Sequence, residues 1–158
     1  MRLLAAIVAA VIVIDQVSKA LLRPLFGEDG ADAIELFPFM TIVSVWNYGI
    51  SFGLFNSGSP SWVRTAVFAV VSLCMVALLV LWYAGSERHR QQAALALLIG
   101  GALSNVVDRL VFGAVFDFLQ LQAGEWVAPA FNVADAAIAV GLVLLVMDAL
   151  FAARQSSK

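Results

Sequence analysis

Two acidic residues stand where they could do chemistry, because each lies at the edge of an apolar stretch. Asp117 follows the apolar segment that ends near Phe112, and Asp135 opens the next one. Neither has a lysine or arginine within four residues along the chain. Two carboxyl groups brought close together cannot easily both ionise, so they tend to share one proton. The ionised member can then accept a proton from water while the neutral member polarises a peptide carbonyl. The pair predicts peptide-bond hydrolysis, and the alternative is two solvated acids.

Further polar residues interrupt the third apolar segment. Gly101, Asn105 and Asp108 follow an i, i+4, i+7 spacing, which puts them on one stripe of a helix. Arg109 lies four residues after Asn105 and can share its neighbourhood. Ionisable groups inside an apolar span are costly and rarely lack a purpose. Asp108 and Arg109 do not face each other on a helix, so we expect each to find a partner elsewhere, Arg109 a loop carbonyl or a carboxylate.

The first apolar segment carries an acid and a base four residues apart. Asp15 precedes Lys19, which is the favourable order for an ion pair on a helix. Pairing lowers the cost of keeping either charge in an apolar setting. The alternative for this pair and for its counterparts in the third segment is a purely structural clasp between helices. Asn132, one turn before Asp135, either orients the two acids, binds substrate backbone or caps a helix.

The composition is that of an integral membrane protein. Hydrophobic residues make up 63% of the 158-residue chain and charged residues only 13%, whereas soluble domains average about 45–50% and about 25%. Four segments approach the roughly 20 apolar residues that cross a bilayer, at about 3–22, 63–83, 91–112 and 130–151. We therefore predict a single membrane domain, an all-α bundle of four transmembrane helices with a small extracytoplasmic β cradle.

The basic residues orient these helices. They precede the first segment, separate the second from the third and follow the fourth, namely Arg2, Arg88, Arg90, Arg154 and Lys158. The other two connections are acidic, although Arg23 and Arg64 flank the first of them. The positive-inside rule then places both termini in the cytoplasm and the acidic connections outside. A cleaved signal peptide is the alternative for the N-terminus, but charged residues interrupt it where a cleavage site should be.

The outer connection at about 34–60 is the predicted cradle. The stretch 41–46 is rich in β-branched residues and predicts a strand, and the glycines and proline that follow break regularity. Three aromatic residues of this connection could anchor it in the membrane interface, namely Trp46, Phe52 and Phe55. A rise of about 1.5 Å per residue along each helix brings the polar residues of three segments to one depth, the outer third of the bilayer.

Other kinds of site find no support in the sequence. It contains no HExxH motif, no cysteine–histidine metal spacing and no serine–histidine arrangement. The glycine pair Gly100-Gly101 is better explained by close helix packing than by phosphate binding. We therefore expect no metal site, no cofactor and no nucleic-acid partner.

Five motif blocks together resemble those of the lipoprotein signal peptidase family, also called signal peptidase II. They are DQVSK at 15–19, NYGISFG at 47–53, GGALSNVVDR at 100–109, VFDF at 115–118 and FNVAD at 131–135. Each block alone is weakly specific, but five in order across the whole chain are strongly so. Ser104 departs from the glycine expected before the asparagine, and Ile50 is bulkier than the usual alanine.

The resemblance implies an aspartic endopeptidase of the bacterial cytoplasmic membrane. Its substrate would be a diacylglyceryl-prolipoprotein, cleaved on the amino side of the lipidated cysteine at the extracytoplasmic face. Membrane lipids and globomycin-type inhibitors are the other implied partners. Asp117 and Asp135 match the catalytic pair. The supporting or substrate-facing positions match Asp15, Lys19, Asn47, Gly49, Asn105, Asp108, Arg109 and Asn132.

Two other classes of protein remain as alternatives. A proton-coupled transporter would use membrane acids as a relay, but it would place them near the midplane. A structural membrane subunit would leave both aspartates replaceable.

Overall fold

Four long helices account for most of the computed structural model, which describes residues 2–26, 33–49 and 62–156, with side chains up to residue 152. They are α1 (Arg2–Leu22), α2 (Trp62–Ala84), α3 (His89–Phe112) and α4 (Val133–Ser156). Each contains a stretch long and apolar enough to cross a membrane, judged by length and composition. The prediction of four apolar helices is confirmed.

Helix α3 is the centre of the bundle, because it packs against each of the other three helices. In its most apolar stretch 61% of the residues are buried, against 11% to 22% in the other helices. Gly100 of α3 packs against Val8 and Val11 of α1, and Gly101 lies directly on the backbone of Ala134 in α4. The predicted close packing at this glycine pair is confirmed, and it brings the helices that carry polar residues together.

A four-stranded antiparallel sheet covers one end of the bundle, in the order β1-β2-β3-β4. Its strands are β1 (Ile34–Phe37), β2 (Met40–Asn47), β3 (Val115–Ala123) and β4 (Trp126–Val127). The strand predicted at 41–46 is therefore confirmed as β2. The remaining expectations about the cradle, at Ile50, Phe52, Phe55 and the later glycines, fall outside the described residues.

Strand β3 lies in the second acidic connection, at 113–129, for which the sequence analysis predicted no strand. Helix α3 ends at Gly113, whose φ of 77° turns the chain out of the helix while its amide donates to the Arg109 carbonyl. The chain then pairs with β2, with Asn47 opposite Val115 and Val45 opposite Asp117. Asp117 is therefore held within a sheet rather than on a free loop.

Candidate active site

A buried cation links α1 to α3 beneath the sheet. The Lys19 Nζ lies 2.7 Å from a carboxylate oxygen of Asp15 and 2.8 Å from one of Asp108, and all three side chains are no more than 1% exposed. The predicted pairing of Asp15 with Lys19 is confirmed, and the partner expected for Asp108 on another element is this same lysine. The two buried carboxylates thus share one ammonium group.

The two carboxylates of this clasp also hold the elements that carry the candidate acids. Asp15 accepts a 2.9 Å hydrogen bond from the backbone amide of Ala134, in the first turn of α4. Asp108 accepts a 3.1 Å hydrogen bond from the amide of Phe116, the residue before Asp117. The clasp between α1 and α3 therefore sets the position of both α4 and β3.

Two neutral side chains complete the clasp, and sequence reasoning assigned a role to neither. Ser104, noted above only as a departure from the family pattern, donates a 2.7 Å hydrogen bond to Asp15. Gln16 donates a 2.9 Å hydrogen bond to Asp108 and a 3.1 Å one to Ser104. A serine thus replaces the expected glycine without strain, because its hydroxyl satisfies a buried carboxylate. The sequence did contain one indication of a role for Gln16, because this polar residue lies between Asp15 and Lys19 in a mostly apolar helix.

Arg109 ties the end of α3 to the chain that follows β2. Its guanidinium donates a 2.9 Å hydrogen bond to the carbonyl of Gly49, and the side chain is buried. The expectation that Arg109 holds a loop carbonyl is confirmed. The Gly49 amide in turn donates to the side-chain oxygen of Asn47 at 3.0 Å, which orients that side chain.

Asp117 lies in β3 and is almost completely enclosed, with 1% of its surface exposed. One carboxylate oxygen accepts a 3.0 Å hydrogen bond from the Asn47 amide, and the other accepts a 2.6 Å hydrogen bond from the Asn132 amide. Asn47 is thus a neighbour of Asp117 through strand pairing, although 70 residues separate them along the chain.

Asp135 lies in the first turn of α4 and reaches the same group of asparagines. Its carboxylate accepts a 2.8 Å hydrogen bond from the Asn105 amide, and its backbone amide donates to the Asn132 side-chain oxygen at 2.9 Å. The Asn132 amide also donates to Asn105 at 3.2 Å. Asn132 therefore caps α4, as one of the readings left open above expects, while its amide donates to Asp117.

Electrostatics couple the two acids. Burial and, after it, the charge on Asp135 raise the pKa of Asp117 to about 7, against the opposing effect of the hydrogen bonds from Asn47 and Asn132 and of the charge on Lys19. The carboxyl group of Asp117 is thus poised to gain or lose a proton near neutral pH, as a proton-sharing pair requires.

An apolar groove of about 450 Å³ opens beside Asp135. Residues of the β3–β4 hairpin and of α4 line it, and Asp135 is the single charged residue among the described ones that do so. Asp135 is half-buried, whereas Asp117 is enclosed. A molecule in the groove could therefore contact the Asp135 carboxylate directly, whereas the Asp117 carboxylate is enclosed by protein.

The structure brings all ten of the predicted site residues into one connected network. They are Asp15, Lys19, Asn47, Gly49, Asn105, Asp108, Arg109, Asp117, Asn132 and Asp135. Within the described ranges, no group of three or more histidines, cysteines and acids is arranged to hold a metal ion.

Comparison with known proteins gives consistent matches over most of the chain. A family profile described as "Signal peptidase (SPase) II" matches residues 7–151. A protein named lipoprotein signal peptidase from Burkholderia ambifaria (strain MC40-6) is 44% identical over 152 residues, which cover 92% of this chain and 86% of that protein. One of the same name from Anaplasma marginale (strain Florida) is 38% identical over 148 residues, 93% of this chain and 84% of that protein.

Solved structures match the fold as well. One described as a bacterial membrane enzyme at 2.3 Å resolution superposes with a TM-score of 0.84 and 28% identity, covering 98% of this chain and 91% of the other. A second, described in the same words at 1.9 Å resolution, has a TM-score of 0.78 and 26% identity, covering 93% and 92%. Together with the four apolar helices, these matches identify a multi-pass membrane protein.

Proposed function

The chain belongs to the signal peptidase II family, and from that premise we propose that it removes signal peptides from diacylglyceryl-prolipoproteins with water activated by Asp117 and Asp135. Cleavage falls on the amino side of the lipidated cysteine. The observation that carries the proposal is that two linked asparagines connect the acids: Asn132 donates to the Asp117 carboxylate, Asn105 donates to the Asp135 carboxylate, and the Asn132 amide also donates to Asn105, at 2.6–3.2 Å.

The first step follows from one shared proton. Asp117 holds it below about pH 7, because burial and the charge on Asp135 raise its pKa to about 7. The ionised Asp135 takes a proton from water as the water oxygen attacks the peptide carbonyl. Asp117 gives its proton to the carbonyl oxygen at the same time, and the product is a tetrahedral gem-diol bound to the enzyme without a covalent bond.

The second step returns both acids to their starting states. Asp135 gives its newly acquired proton to the amide nitrogen, and the carbon–nitrogen bond breaks to release the amine. One gem-diol hydroxyl loses its proton to Asp117 as the carbonyl re-forms, which gives the new carboxylic acid. The asparagines keep the acids in place throughout, since each donates or accepts through a fixed amide.

The proposed setting is the bacterial cytoplasmic membrane, with both termini in the cytoplasm and the site at the extracytoplasmic face. Arg88 pairs with Asp148 near the C-terminal end of α4, whereas the candidate acids lie at its N-terminal end. The basic loop and the site are thus at opposite ends of the bundle, as the positive-inside rule requires for a site that faces outward. A substrate anchored in the membrane would reach the groove beside Asp135 by lateral diffusion.

The proposal is tested with purified protein and a diacylglyceryl-prolipoprotein. We expect D117N and D135N each to lower the cleavage rate by about 10²- to 10⁴-fold, the usual contribution of a positioned acid or base. D148N is the matched control, because it makes the same change in α4 at the far end, and it should cleave normally. Globomycin-type inhibitors, which the family resemblance implies, should block the wild type.

Each variant should insert and fold, which circular dichroism and thermal unfolding in detergent can verify. Retained turnover in a folded D117N or D135N variant would rule out the two-aspartate mechanism. Equal loss in all three variants would show that the assay reports a general effect of removing a carboxylate.

A further inference from the structure

Arg23 is a charged residue at the site end of the bundle that takes no part in the polar network. It follows directly on α1, in a short 3₁₀ turn at Arg23–Leu25. Its guanidinium carbon lies 3.9 Å from the ring centroid of Phe112, 5.3 Å from that of Trp46 and 5.4 Å from that of Phe116. Three aromatic rings therefore surround a single cation.

Among the described residues, the neighbours of the Arg23 guanidinium are aromatic rings rather than carboxylates. Within the described part of the chain, no carboxylate lies within ion-pair distance of Arg23, and its buried Nε has no hydrogen-bond partner. Attraction between a cation and aromatic rings is strongest where water is excluded. A planar guanidinium can stack on a ring, whereas a lysine ammonium is a point charge on a flexible stem. The contact with Phe112 at 3.9 Å is of the stacking kind.

Two of the three rings are adjacent in sequence to site residues. Phe116 precedes Asp117 on β3, and Trp46 precedes Asn47 on β2. Trp46 and Phe116 are also cross-strand partners, with their rings 5.3 Å apart. Side chains alternate between the two faces of a strand, so the rings lie on one face of the sheet and the polar pair on the other.

The third ring connects this arrangement to the helices. Phe112 is the last residue of α3, and its ring lies 5.8 Å from that of Trp46. The guanidinium thus stands where the end of α1, the end of α3 and the two central strands meet. If β2 and β3 moved relative to Arg23, Asn47 and Asp117 on the opposite face of the sheet would move with them.

We propose that Arg23 is a positioning residue for cleavage, which fixes Asp117 and its partner Asn47 by stacking against the rings of their chain neighbours. This inference rests on the proposed function of Asp117. In the sequence analysis, Arg23 was only a basic residue beside an outer connection, where the positive-inside rule does not expect one. The sandwich of rings explains why a cation is tolerated at this end of the bundle.

The test compares R23L and R23K with R88L, which removes an arginine from the far end. A misplacement of reacting groups by about 1 Å costs on the order of 10²-fold in rate, so we expect R23L to lower kcat by about 10- to 100-fold. KM should stay within about two-fold, because the substrate groove is unchanged. R23K should recover part of kcat, and R88L should keep the kcat of the wild type.

The pH profile separates positioning from loss of stability. The hydrogen bond from Asn47 lowers the pKa of Asp117, so loosening β2 against β3 should move the pH midpoint of cleavage upward in R23L. If R23L only lowers the unfolding temperature, with kcat and the pH midpoint of the wild type, the inference is wrong. A rise in KM at constant kcat would also overturn it, since that would indicate contact with substrate or lipid.

Two further measurements keep the outcomes separable. If R23L does not fold, R23M and R23K are compared by the same criteria, and equal kcat in both and in the wild type rejects the inference.

If the wild type does not cleave, the proposed function fails. The titration of Asp117 is then followed by infrared difference spectra against D117N. An unchanged midpoint in R23K and R23M would reject the positioning role by itself.

Discussion

The two ends of the helix bundle contain ion pairs of nearly the same length that differ in their surroundings. At the site end Lys19 lies 2.7 Å from Asp15 and 2.8 Å from Asp108, and the side chains are at most 1% exposed. At the far end Arg88 lies 2.8 Å from Asp148, but the arginine side chain is 48% exposed. Distance alone would rank these pairs as equal, whereas burial makes their energetic roles different.

This difference shows where the fold depends on its polar groups. In the far-end pair Asp148 is only 10% exposed but Arg88 is well solvated, so losing one partner should cost less there than in the clasp, where both partners are buried. The buried clasp also binds the backbone amides of Ala134 and Phe116, so its integrity extends to the elements that carry both candidate acids. The far-end pair only joins the loop before α3 to α4. At the site end, loss of one ion-pair partner should therefore disturb the elements that carry both candidate acids.

The largest expected effect is the loss of the buried cation. K19M would leave Asp15 and Asp108 enclosed without a positive partner, and breaking a buried pair in this way costs about 3–5 kcal/mol. R88Q, the equivalent change at the far end, should cost less, because Arg88 is 48% exposed and water screens its attraction to Asp148. Denaturant unfolding of both variants in detergent micelles measures the difference. Equal losses of stability would show that the two ends do not differ as described.

A smaller effect is expected from the helix contacts between α3 and α4. A β-carbon at Gly101 would overlap the backbone of Ala134, and one at Gly141 would lie 2.8 Å from the Ala94 carbonyl oxygen. Overpacking costs about 1–3 kcal/mol, which exceeds or offsets the gain of about 1 kcal/mol that alanine brings to a helix. G101A and G141A should therefore both lose stability, as thermal unfolding can measure.

These two variants should differ in cleavage. Ala134 is adjacent to Asp135 and binds Asp15 through its amide, so G101A should lower kcat as well as stability. G141A lies further along α4 from the site and should keep the kcat of the wild type. If G141A lowered kcat as much as G101A, the site would depend on the whole bundle rather than on its own end.

Much of this arrangement could be predicted from the sequence, because its signals are local. The length of the apolar segments predicted the four helices, and the i, i+4 spacing of Asp15 and Lys19 predicted their ion pair. Helical rise placed polar residues from three segments at one depth, and they do meet in one network. Strand β2 was visible in its β-branched residues.

The rest depends on contacts between residues far apart along the chain. The sequence analysis did not predict strand β3, because its partner β2 lies about 70 residues earlier in the chain. A local signal was present in the period-two alternation of Leu119, Gln120, Leu121 and Gln122. The use of Asn132 both as a helix cap and as a donor to Asp117 requires the strand to be in place. The contact of Trp46 with Arg23, 23 residues earlier in the chain, likewise forms only once the fold is in place.

The central claim is that Asp117 and Asp135 share one proton while they activate water. Its most direct test is the pH dependence of kcat/KM for the wild type, measured from about pH 5 to pH 9, since this ratio reports the acid and base of the free enzyme. Because the pKa of Asp117 is raised to about 7, Asp117 is protonated below that pH and loses its proton above it. Cleavage should therefore fall as the pH rises through about 7. A rate that instead rises through pH 7 and stays high above it would require both carboxylates to be ionised, and would contradict the shared proton.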